Sequence, residues 1–538
     1  MRSAGLGWLV AGQVLAGASC ASAQISYQAV ALSGQQAPGT GARYRAFSVP
    51  ILNNAGEVAF SAWLDAGGGL KQNAVYAGRP GALQLVARQG DAAPGMPEGT
   101  TFGEPPGFSA GGMVVHGRDA SGQILLSTWL IGPSCDPHAW ALYAGRPGAL
   151  ELVVRQGQAA PGTAGATYSG LYDPTINDDG TVVFRGAVWG PTVTGKTSMG
   201  IWAGRPGAMQ LAARMGEPAA ALTGLAYVAC PWDAETDFHR LMLADSGQIL
   251  FEGFAATRDL QTNNWAVWGG SPASLQVLAH AGDPAPDAGD GTRFTNLGAA
   301  RLDRSGMAVM TTDLASADAA EADASAVYLG RPGYMRLSLR NGSPAPGLGD
   351  GAVFDRFVDA AVNSSGQIAL VAVAQGRTGL WAGNPEHLRL LALEGQPAPG
   401  LPDLCFDHTF YGDFVDINDL GQVVFAARVI GSGRSLWAAD STGGPVLLAR
   451  EGGYLDIGSG NMRPVVSVAD HGFSLNDAGQ VAFTADFGGL SGGRALFLAT
   501  IPEPALLPLL AGIAVLLPLR RLRPAATGPT HTQNTSPG

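Results

Sequence analysis

A tight polar turn followed by a short apolar run recurs along this chain. In its first copy, the turn from Asn53 to Gly56 leads into the run Val58-Ala59-Phe60. The turn returns at 119–122, 177–180, 244–247, 303–306, 363–366, 418–421 and 476–479. The first and last copies start 423 residues apart. Seven steps over that distance give a period of about 60 residues, which indicates a repeat architecture.

Each repeat predicts four short strands. In the first repeat they fall at 47–52, 57–64, 74–77 and 82–88, and the polar turn joins the first two. Asn or Asp occupies the first turn position in seven of the eight copies, and Gly occupies the fourth position in all eight. This composition is typical of a type I turn in which the Asx side chain accepts a backbone N–H and the glycine takes a positive φ. We therefore assign these Asn residues a structural role.

The apolar positions also predict how the strands are covered. The run after each turn is apolar on consecutive residues, so both faces of the second strand are expected to be buried. The third strand carries one aromatic residue per repeat at a single register, which favours a packing wedge between sheets over a ligand-stacking role. These residues are Tyr76, Tyr143, Trp202, Trp268, Tyr328, Trp381, Trp437 and Phe497.

Four-stranded units repeated radially are typical of a β-propeller, and a linear solenoid is the competing architecture. The last repeat breaks off after its third strand, 495–499. In contrast, the segment 28–39 near the N-terminus matches the fourth strand and following turn of other repeats, such as 152–162. We therefore predict an all-β, eight-bladed β-propeller of four-stranded blades, in which the N-terminal strand completes the last blade. Seven blades are the alternative, if one repeat is degenerate and packs elsewhere.

Composition suits this fold and narrows the function. The 538 residues include 78 Gly, 35 Pro and only 14% charged residues, as expected for many short strands joined by tight turns. The net charge of −11 does not indicate the basic surface of a nucleic-acid-binding protein, so we expect no nucleic-acid partner. The sequence has no Gly-x-Ser-x-Gly elbow, phosphate loop or dinucleotide fingerprint. We predict a monomer without a cofactor, and leave a bound divalent cation open.

The N-terminus resembles a secretory signal peptide. Arg2 precedes an apolar run at 6–18, and Ala21-Ser22-Ala23 supplies a small-residue cleavage pattern. The predicted division is a signal peptide at 1–23 and a propeller at 24–500. A lipoprotein signal ending at Cys20 is disfavoured, because Gly17 stands where that signal needs a branched apolar residue.

The C-terminus combines Pro502-Glu503-Pro504, an apolar run at 505–519 and the basic cluster 520–523. The run is shorter than the ~20 residues of a comfortable membrane span, and its basic flank would lie in the cytoplasm. The segment 501–523 resembles the PEP-CTERM sorting tail of Gram-negative bacteria. That resemblance implies transient inner-membrane anchoring, processing by an exosortase-type enzyme, and delivery to the cell surface or extracellular polysaccharide. The remaining 524–538 is expected to be a disordered tail.

The repeats themselves resemble tandem-repeat proteins with an Asn-x-x-Gly-x-x-Ala-Phe pattern. The segments 53–60 and 476–483 match the pattern in full, and other copies replace Ala with Val or Leu. The resemblance covers nearly all of the predicted mature chain and implies no activity.

Three irregular loops carry cysteine, acidic and histidine residues to one predicted face of the propeller. They lie at 134–140, 230–239 and 405–408. Cys, Asp and His form the ligand set of a transition-metal site, although no paired metal-binding spacing is present. The candidate metal ligands are Cys135, His138, Cys230, His239, Cys405 and His408. A disulfide between Cys135 and Cys230 is the competing hypothesis, because an oxidising compartment would permit one bridge and a spare thiol.

Charged residues on the predicted first strands provide a second candidate site, near the central channel. They are Asp173, Arg240, Arg301, Asp359 and Asp416. Such residues either bind a cation or a polar ligand, or they line a hydrated channel.

We therefore expect an exported, non-enzymatic binding or structural module at the cell surface or in the extracellular matrix, with a polysaccharide or a surface protein as its partner. The alternatives are a secreted hydrolase or lyase with its site at the channel mouth, and a pure scaffold. The regularity of the eight turns favours the irregular cysteine loops as the functional region.

Overall fold

The computed structural model describes residues 25–67, 71–103, 112–132, 139–229, 238–257, 263–316, 324–440, 443–488 and 492–501. Only the backbone is described at 263, 408–414 and 469–471. All of these residues belong to one compact unit, Met1–Glu503. They form β-strands, with one short 3₁₀ turn at Gly195–Thr197, which confirms the all-β prediction. This described part contains no helix that is long and apolar enough to cross a membrane.

The strands form eight antiparallel sheets, which are the blades of a β-propeller. The chain enters with β1 (Ser26–Leu32). Blade one contains β2 (Arg43–Phe47), β3 (Ile51–Leu52), β4 (Val58–Asp65), β5 (Lys71–Gly78) and β6 (Gln84–Arg88), and blade two contains β7 (Thr101–Gly103), β8 (Met113–Arg118), β9 (Ile124–Ile131), β10 (Ala139–Arg146) and β11 (Ala149–Arg155). Blade three contains β12 (Thr167–Ile176), β13 (Val182–Trp189), β14 (Met199–Gly204) and β15 (Gln210–Arg214), and blade four contains β16 (Ala226–Val228), β17 (Phe238–Leu243), β18 (Ile249–Ala256), β19 (Asn263–Ser271) and β20 (Ser274–His280).

The second half of the ring repeats the same unit. Blade five contains β21 (Arg293–Leu302), β22 (Ala308–Ala315), β23 (Ala324–Arg331) and β24 (Tyr334–Arg340), and blade six contains β25 (Phe354–Val362), β26 (Ile368–Ala374), β27 (Arg377–Asn384) and β28 (His387–Leu393). Blade seven contains β29 (Phe406–Ile417), β30 (Val423–Val429), β31 (Gly433–Ala439) and β32 (Val446–Arg450), and blade eight contains β33 (Tyr454–Asp456), β34 (Met462–Leu475), β35 (Gln480–Phe487) and β36 (Gly493–Thr500).

The N-terminal strand closes the ring. β1 pairs antiparallel with β36, from Ser26 opposite Thr500 to Leu32 opposite Ala495. The Tyr27 hydroxyl also donates a hydrogen bond of 2.9 Å to the Leu448 carbonyl of blade seven. The predicted eight blades and their closure by the N-terminal strand are confirmed, and the seven-blade alternative is wrong.

The second and third strands form the core, as the apolar pattern predicts. Val58, Ala59 and Phe60 are fully buried although they point to alternate faces of β4, because each blade is covered by a neighbour on both sides. All eight predicted wedge aromatics are buried to within 1% exposure. The polar end of several of these side chains donates a hydrogen bond to the segment that leads into the same blade. Trp202 Nε1 donates to the Pro161 carbonyl at 3.0 Å, and Trp381 Nε1 donates to the Pro346 carbonyl at 2.9 Å.

The repeated turns have the predicted geometry. In the first copy, the Asn53 side-chain oxygen accepts the N–H groups of Ala55 and Glu57, at 3.2 and 2.9 Å. Gly56 has φ of 74°, in the left-handed region that favours glycine. The turn residues therefore satisfy their own backbone, which is the predicted structural role.

The same asparagines also join the blades, which the sequence did not indicate. Asn418 Nδ2 donates to the Asn476 carbonyl of the next blade at 2.9 Å, and Asn476 Nδ2 donates to the Asn53 carbonyl across the closing junction at 2.9 Å. Asn53, Asn177 and Asn363 donate equivalent hydrogen bonds to a carbonyl of the next blade. Asp119, Ala244 and Asp303 have no amide group, so their side chains cannot donate this bond. Asparagine is thus favoured over aspartate at this position, because its side-chain oxygen accepts hydrogen bonds within the turn and its NH₂ group donates one to the next blade.

We expect Asn418→Asp to lower the free energy of unfolding by about 2 kcal/mol, because a buried carboxylate would face two acceptors, the Asn476 carbonyl and Gln422 Oε1, in place of an N–H donor. Denaturant unfolding followed by tryptophan fluorescence measures this change. Asn384→Asp makes the same chemical change at the exposed last residue of β27 and is expected to stay within about 0.5 kcal/mol of the wild type. Equal effects at the two sites would contradict the inter-blade role.

Candidate functional site

The two ends of the propeller differ in their loops. We call the end that carries the eight first-to-second-strand turns the turn face. The opposite end carries the second-to-third-strand loops and the connections between blades, and we call it the loop face. The cysteine-bearing segments 134–140 and 230–239 lie largely outside the described residues, and 405–408 falls at the start of β29.

A cavity of about 420 Å³ lies at the turn face, where the first strands of blades five to eight end. Its volume falls within the ~300–1,000 Å³ that is usual for small-molecule sites. Apolar side chains such as Met242 and Val415 form part of the wall. The charged and aromatic residues of the lining are Arg301, Asp303, Arg304, Asp416, Asp419, Phe473 and Asp477.

Asp416 is a predicted residue that lines the cavity and is exposed to the channel. Desolvation by the surrounding wall raises the pKa of its carboxyl to about 6, against the opposing effects of the Ile417 N–H, Arg301 and Arg304. One carboxylate oxygen accepts the Ile417 N–H at 2.9 Å. Within the described residues, no cation lies within salt-bridge distance of Asp416.

Arg301, a second predicted residue, is fixed from behind the cavity by Asp359. Arg301 Nη2 lies 2.5 Å from Asp359 Oδ2, and Nε lies 3.1 Å from Oδ1, so the pair is bidentate and joins blades five and six. Asp359 is only 5% exposed, and its Oδ1 also accepts the Ala360 N–H at 2.8 Å. Asp359 therefore positions Arg301 and does not line the cavity.

Arg240 takes part in the next ion pair along the ring, with a residue that the sequence analysis missed. Its Nε lies 3.7 Å from Glu252 Oε1, and the same oxygen accepts the Ala300 N–H of blade five at 3.1 Å. Glu252 is 4% exposed, and burial raises the pKa of its carboxyl to about 7, with Asp359 adding repulsion. A carboxyl group in this environment is partly protonated near neutral pH.

Asp173 lies apart from the cavity. It forms a salt bridge with Arg185 at 2.5 Å, and Arg185 Nη1 donates to the Phe238 carbonyl of blade four at 2.7 Å. Asp173 and Arg240 both have φ of 46°, at places where the pairing register of their strand shifts. These β-bulges turn the two residues out of the regular ladder. Of the five predicted channel charges, the structure thus brings Arg301 and Asp416 to the cavity, with Asp359 directly behind.

The carboxylates at the cavity mouth are held by hydrogen bonds from amides. Asp419 Oδ1 accepts the Ser364 N–H at 3.0 Å, and Asp477 Oδ1 accepts the Asp419 N–H at 3.0 Å. Asp477 Oδ2 also accepts a hydrogen bond from Asn54 Nδ2 at 2.7 Å. Asp419 and Asp477 occupy the second position of their turns, so the repeated turn itself places a carboxylate at the rim.

A protein-family model matches residues 16–118 and 103–508 of this chain. The chain therefore belongs to the family of unknown function DUF7453. A comparison with curated proteins finds no significant match.

Several solved structures are similar to this DUF7453 protein at low identity, among them a β-propeller domain. The β-propeller domain of the trilobed protease from Pyrococcus furiosus has a TM-score of 0.36 and 7% identity, over 76% of this chain and 98% of that chain. An acylaminoacyl peptidase from Pyrococcus horikoshii has a TM-score of 0.37 and 8% identity over 83% of this chain, which spans 58% of the peptidase. The polysaccharide lyase Uly1 has a TM-score of 0.34 and 9% identity, over 76% and 93% of the two chains. Likeness at this level concerns the fold alone.

The predicted metal and disulfide residues fall largely outside the described part of the protein. Cys135, His138 and Cys230 lie in undescribed loops, and the side chain of His408 is not described. Cys405 is a free, half-buried thiol. The ring of His239 packs against Trp265 with centroids 5.2 Å apart. Among the described side chains, no group of three or more His, Cys, Asp or Glu residues could hold a metal ion. The shared metal site and the Cys135 to Cys230 disulfide stay predictions.

Six cavity or network residues were missed by the sequence analysis: Glu252, Asp303, Arg304, Asp419, Phe473 and Asp477. Glu252 could have been identified from the sequence. It is a charged residue at a position of the second strand where other repeats have Ser61, Ser127 or Thr311. Arg304 and Asp477 lie inside turns that we had interpreted as purely structural. That interpretation is incomplete, since the turn face also builds the cavity.

A serine and histidine pair in blade two resembles a nucleophile and its base. His116 Nε2 lies 2.7 Å from Ser127 Oγ. Burial lowers the pKa of His116 to about 4, although Asp173 opposes this shift. Ser127 is 1% exposed within β9, so a substrate has no route to its hydroxyl. We assign this pair a structural role.

Proposed function

We propose that this protein is an exported binding module that takes one sugar unit of an extracellular polysaccharide into the turn-face cavity. The observation that carries the proposal is the cavity itself, which collects donors, acceptors and one aromatic ring from four consecutive blades. Export and surface sorting rest on the terminal segments of the sequence and belong to the proposal.

The chemistry of the lining suits a hydroxyl-rich ligand. Carboxylates such as Asp416 and Asp419 accept hydrogen bonds from hydroxyl groups, and the guanidinium of Arg304 donates to hydroxyl oxygens. The half-buried Phe473 ring offers an apolar face for the C–H surface of a sugar. The combination of a few fixed polar groups with apolar walls is usual in small-molecule sites.

We expect the purified full-length protein to bind a subset of polysaccharides on a glycan array, and Asp416→Asn to reduce that binding at least about tenfold at pH 7. The reason is the loss of an ionised acceptor in the cavity. Asp65→Asn removes the same charge from an exposed residue at the loop-face end of β4 and is expected to bind like the wild type. Absence of binding to every secreted polymer, or unchanged binding by Asp416→Asn, would contradict the proposal.

A glycoside hydrolase or lyase is the second candidate. One observation favours it: the Asp416 carboxyl has a raised pKa of about 6 and shares the cavity with Asp477. A pair of carboxyl groups is the usual acid and base of sugar hydrolysis. Release of reducing ends from the bound polysaccharide, lost in both Asp416→Asn and Asp477→Asn, would favour this candidate. Tight binding without release would favour the module.

A further inference from the structure

We propose that the ligand unit held in the turn-face cavity carries a primary ammonium group, as an amino sugar with a free amine does. This inference rests on the proposed function and names the class of ligand for the same site. It follows from the balance of charge in the cavity and from the way each charged side chain is already bonded.

Negative groups outnumber positive groups among the described residues of the lining. Four carboxylates, those of Asp303, Asp416, Asp419 and Asp477, face two guanidinium groups, those of Arg301 and Arg304. Arg301 is already paired in bidentate fashion with Asp359, which lies behind the wall. Arg304 is therefore the guanidinium that is left to offset the lining carboxylates. An anionic ligand, such as a uronate, would meet net repulsion here.

The hydrogen bonds of the carboxylates leave room for a cation. Asp303 is bonded within its own turn, to the Met307 N–H at 2.6 Å and to the Ser305 hydroxyl at 2.9 Å. Asp419 and Asp416 each accept one backbone N–H, so in the described residues one oxygen of each has no bonded donor. An ammonium group carries three N–H donors, which suits carboxylate oxygens that converge on one cavity.

The remaining lining favours a sugar scaffold over a bare amine. Arg304 has no salt bridge with a described residue and can donate to hydroxyl oxygens. The Phe473 ring offers both a C–H contact surface and a cation–π face. A diamine without hydroxyl groups would use the carboxylates but leave Arg304 without a ligand acceptor.

Isothermal titration calorimetry with the full-length protein at pH 7 tests the inference, with glucosamine, N-acetylglucosamine, glucose and putrescine as probes. We expect glucosamine to bind at least about tenfold more tightly than glucose, which lacks the ammonium group, and than N-acetylglucosamine, in which acetylation removes the positive charge and two N–H donors and adds an acetyl group. We expect Asp416→Asn to bring both ratios to within about twofold, while Asp65→Asn keeps them. Thermal unfolding of each variant shows whether the fold is retained, and Asp416→Glu is expected to restore part of the preference.

The outcomes separate the two proposals. Equal binding of the three sugars would overturn the ammonium inference and leave the saccharide-binding module standing. Binding of putrescine without any sugar would overturn both the saccharide module and the inference of an amino sugar. Absence of binding by all four probes would overturn the inference, and the glycan array then decides the module independently.

Discussion

Removal of β1 is expected to lower the free energy of unfolding by roughly 5 kcal/mol or to abolish cooperative folding, because the last blade then lacks its fourth strand. A chain that starts at Ser33 loses the buried side chains of Val30 and Ala31 and exposes Leu496 and Leu498, which they cover. It also leaves β36 as an unpaired edge, which invites aggregation. Denaturant unfolding and light scattering measure both effects.

The matched control is a chain that starts at Ile25, which keeps every described residue of β1 and is expected to unfold like the full-length protein. A synthetic peptide with the sequence 25–34 added to the shortened chain is expected to restore much of the lost stability, since the receiving strand is still present. An unchanged midpoint and cooperativity in the shortened chain would contradict closure of the ring by β1.

The second large effect concerns Glu252. Burial raises its pKa to about 7 in the folded protein from its ordinary value of 4.5, so the folded state binds more protons than the unfolded state between these values. Its contribution to stability is therefore complete at low pH and is lost as the pH rises through about 7. Between pH 5 and pH 8 we expect this group to cost about 2 to 3 kcal/mol of unfolding free energy.

The variant Glu252→Gln keeps the acceptor for the Ala300 N–H but removes the titration. The difference in unfolding free energy between pH 5 and pH 8 should therefore shrink by about 2 to 3 kcal/mol relative to the wild type. Other charged groups near Glu252, namely Arg240 and Asp359, stay in both proteins. Glu386→Gln changes an exposed glutamate and should keep the wild-type pH dependence. The same pH dependence in Glu252→Gln would show that burial of this carboxyl does not govern stability.

Most of the fold was predictable from the sequence because it depends on local, repeated chemistry. One feature of every blade depends on the Asx and Gly positions of the turn, as in Asn53 to Gly56, which join the first two strands. Another depends on the aromatic register of the third strand, as in Trp202 and Trp381, which pack between the blades. Closure was predictable because the spare strand at the N-terminus matches the one missing at the end. The hydrogen bond from Asn476 to Asn53 across the closing junction was not, since it depends on how neighbouring blades are spaced.

The site was only partly predictable, because it depends on contacts between blades. Arg301 and Asp416 were identified, since charges on a first strand face the channel. Glu252 was missed because its environment comes from Ala300 of the next blade and from Asp359, two blades away. We expected the functional region at the irregular cysteine loops, whereas the cavity lies at the turn face.

The most direct test of the central claim is the position of a bound saccharide in a crystal structure of the full-length protein, grown with a polysaccharide fragment selected on the array. We expect density for one sugar unit in the turn-face cavity, within hydrogen-bond distance of Asp416 and against the Phe473 ring. Density on the loop face, with an empty turn-face cavity, would contradict it.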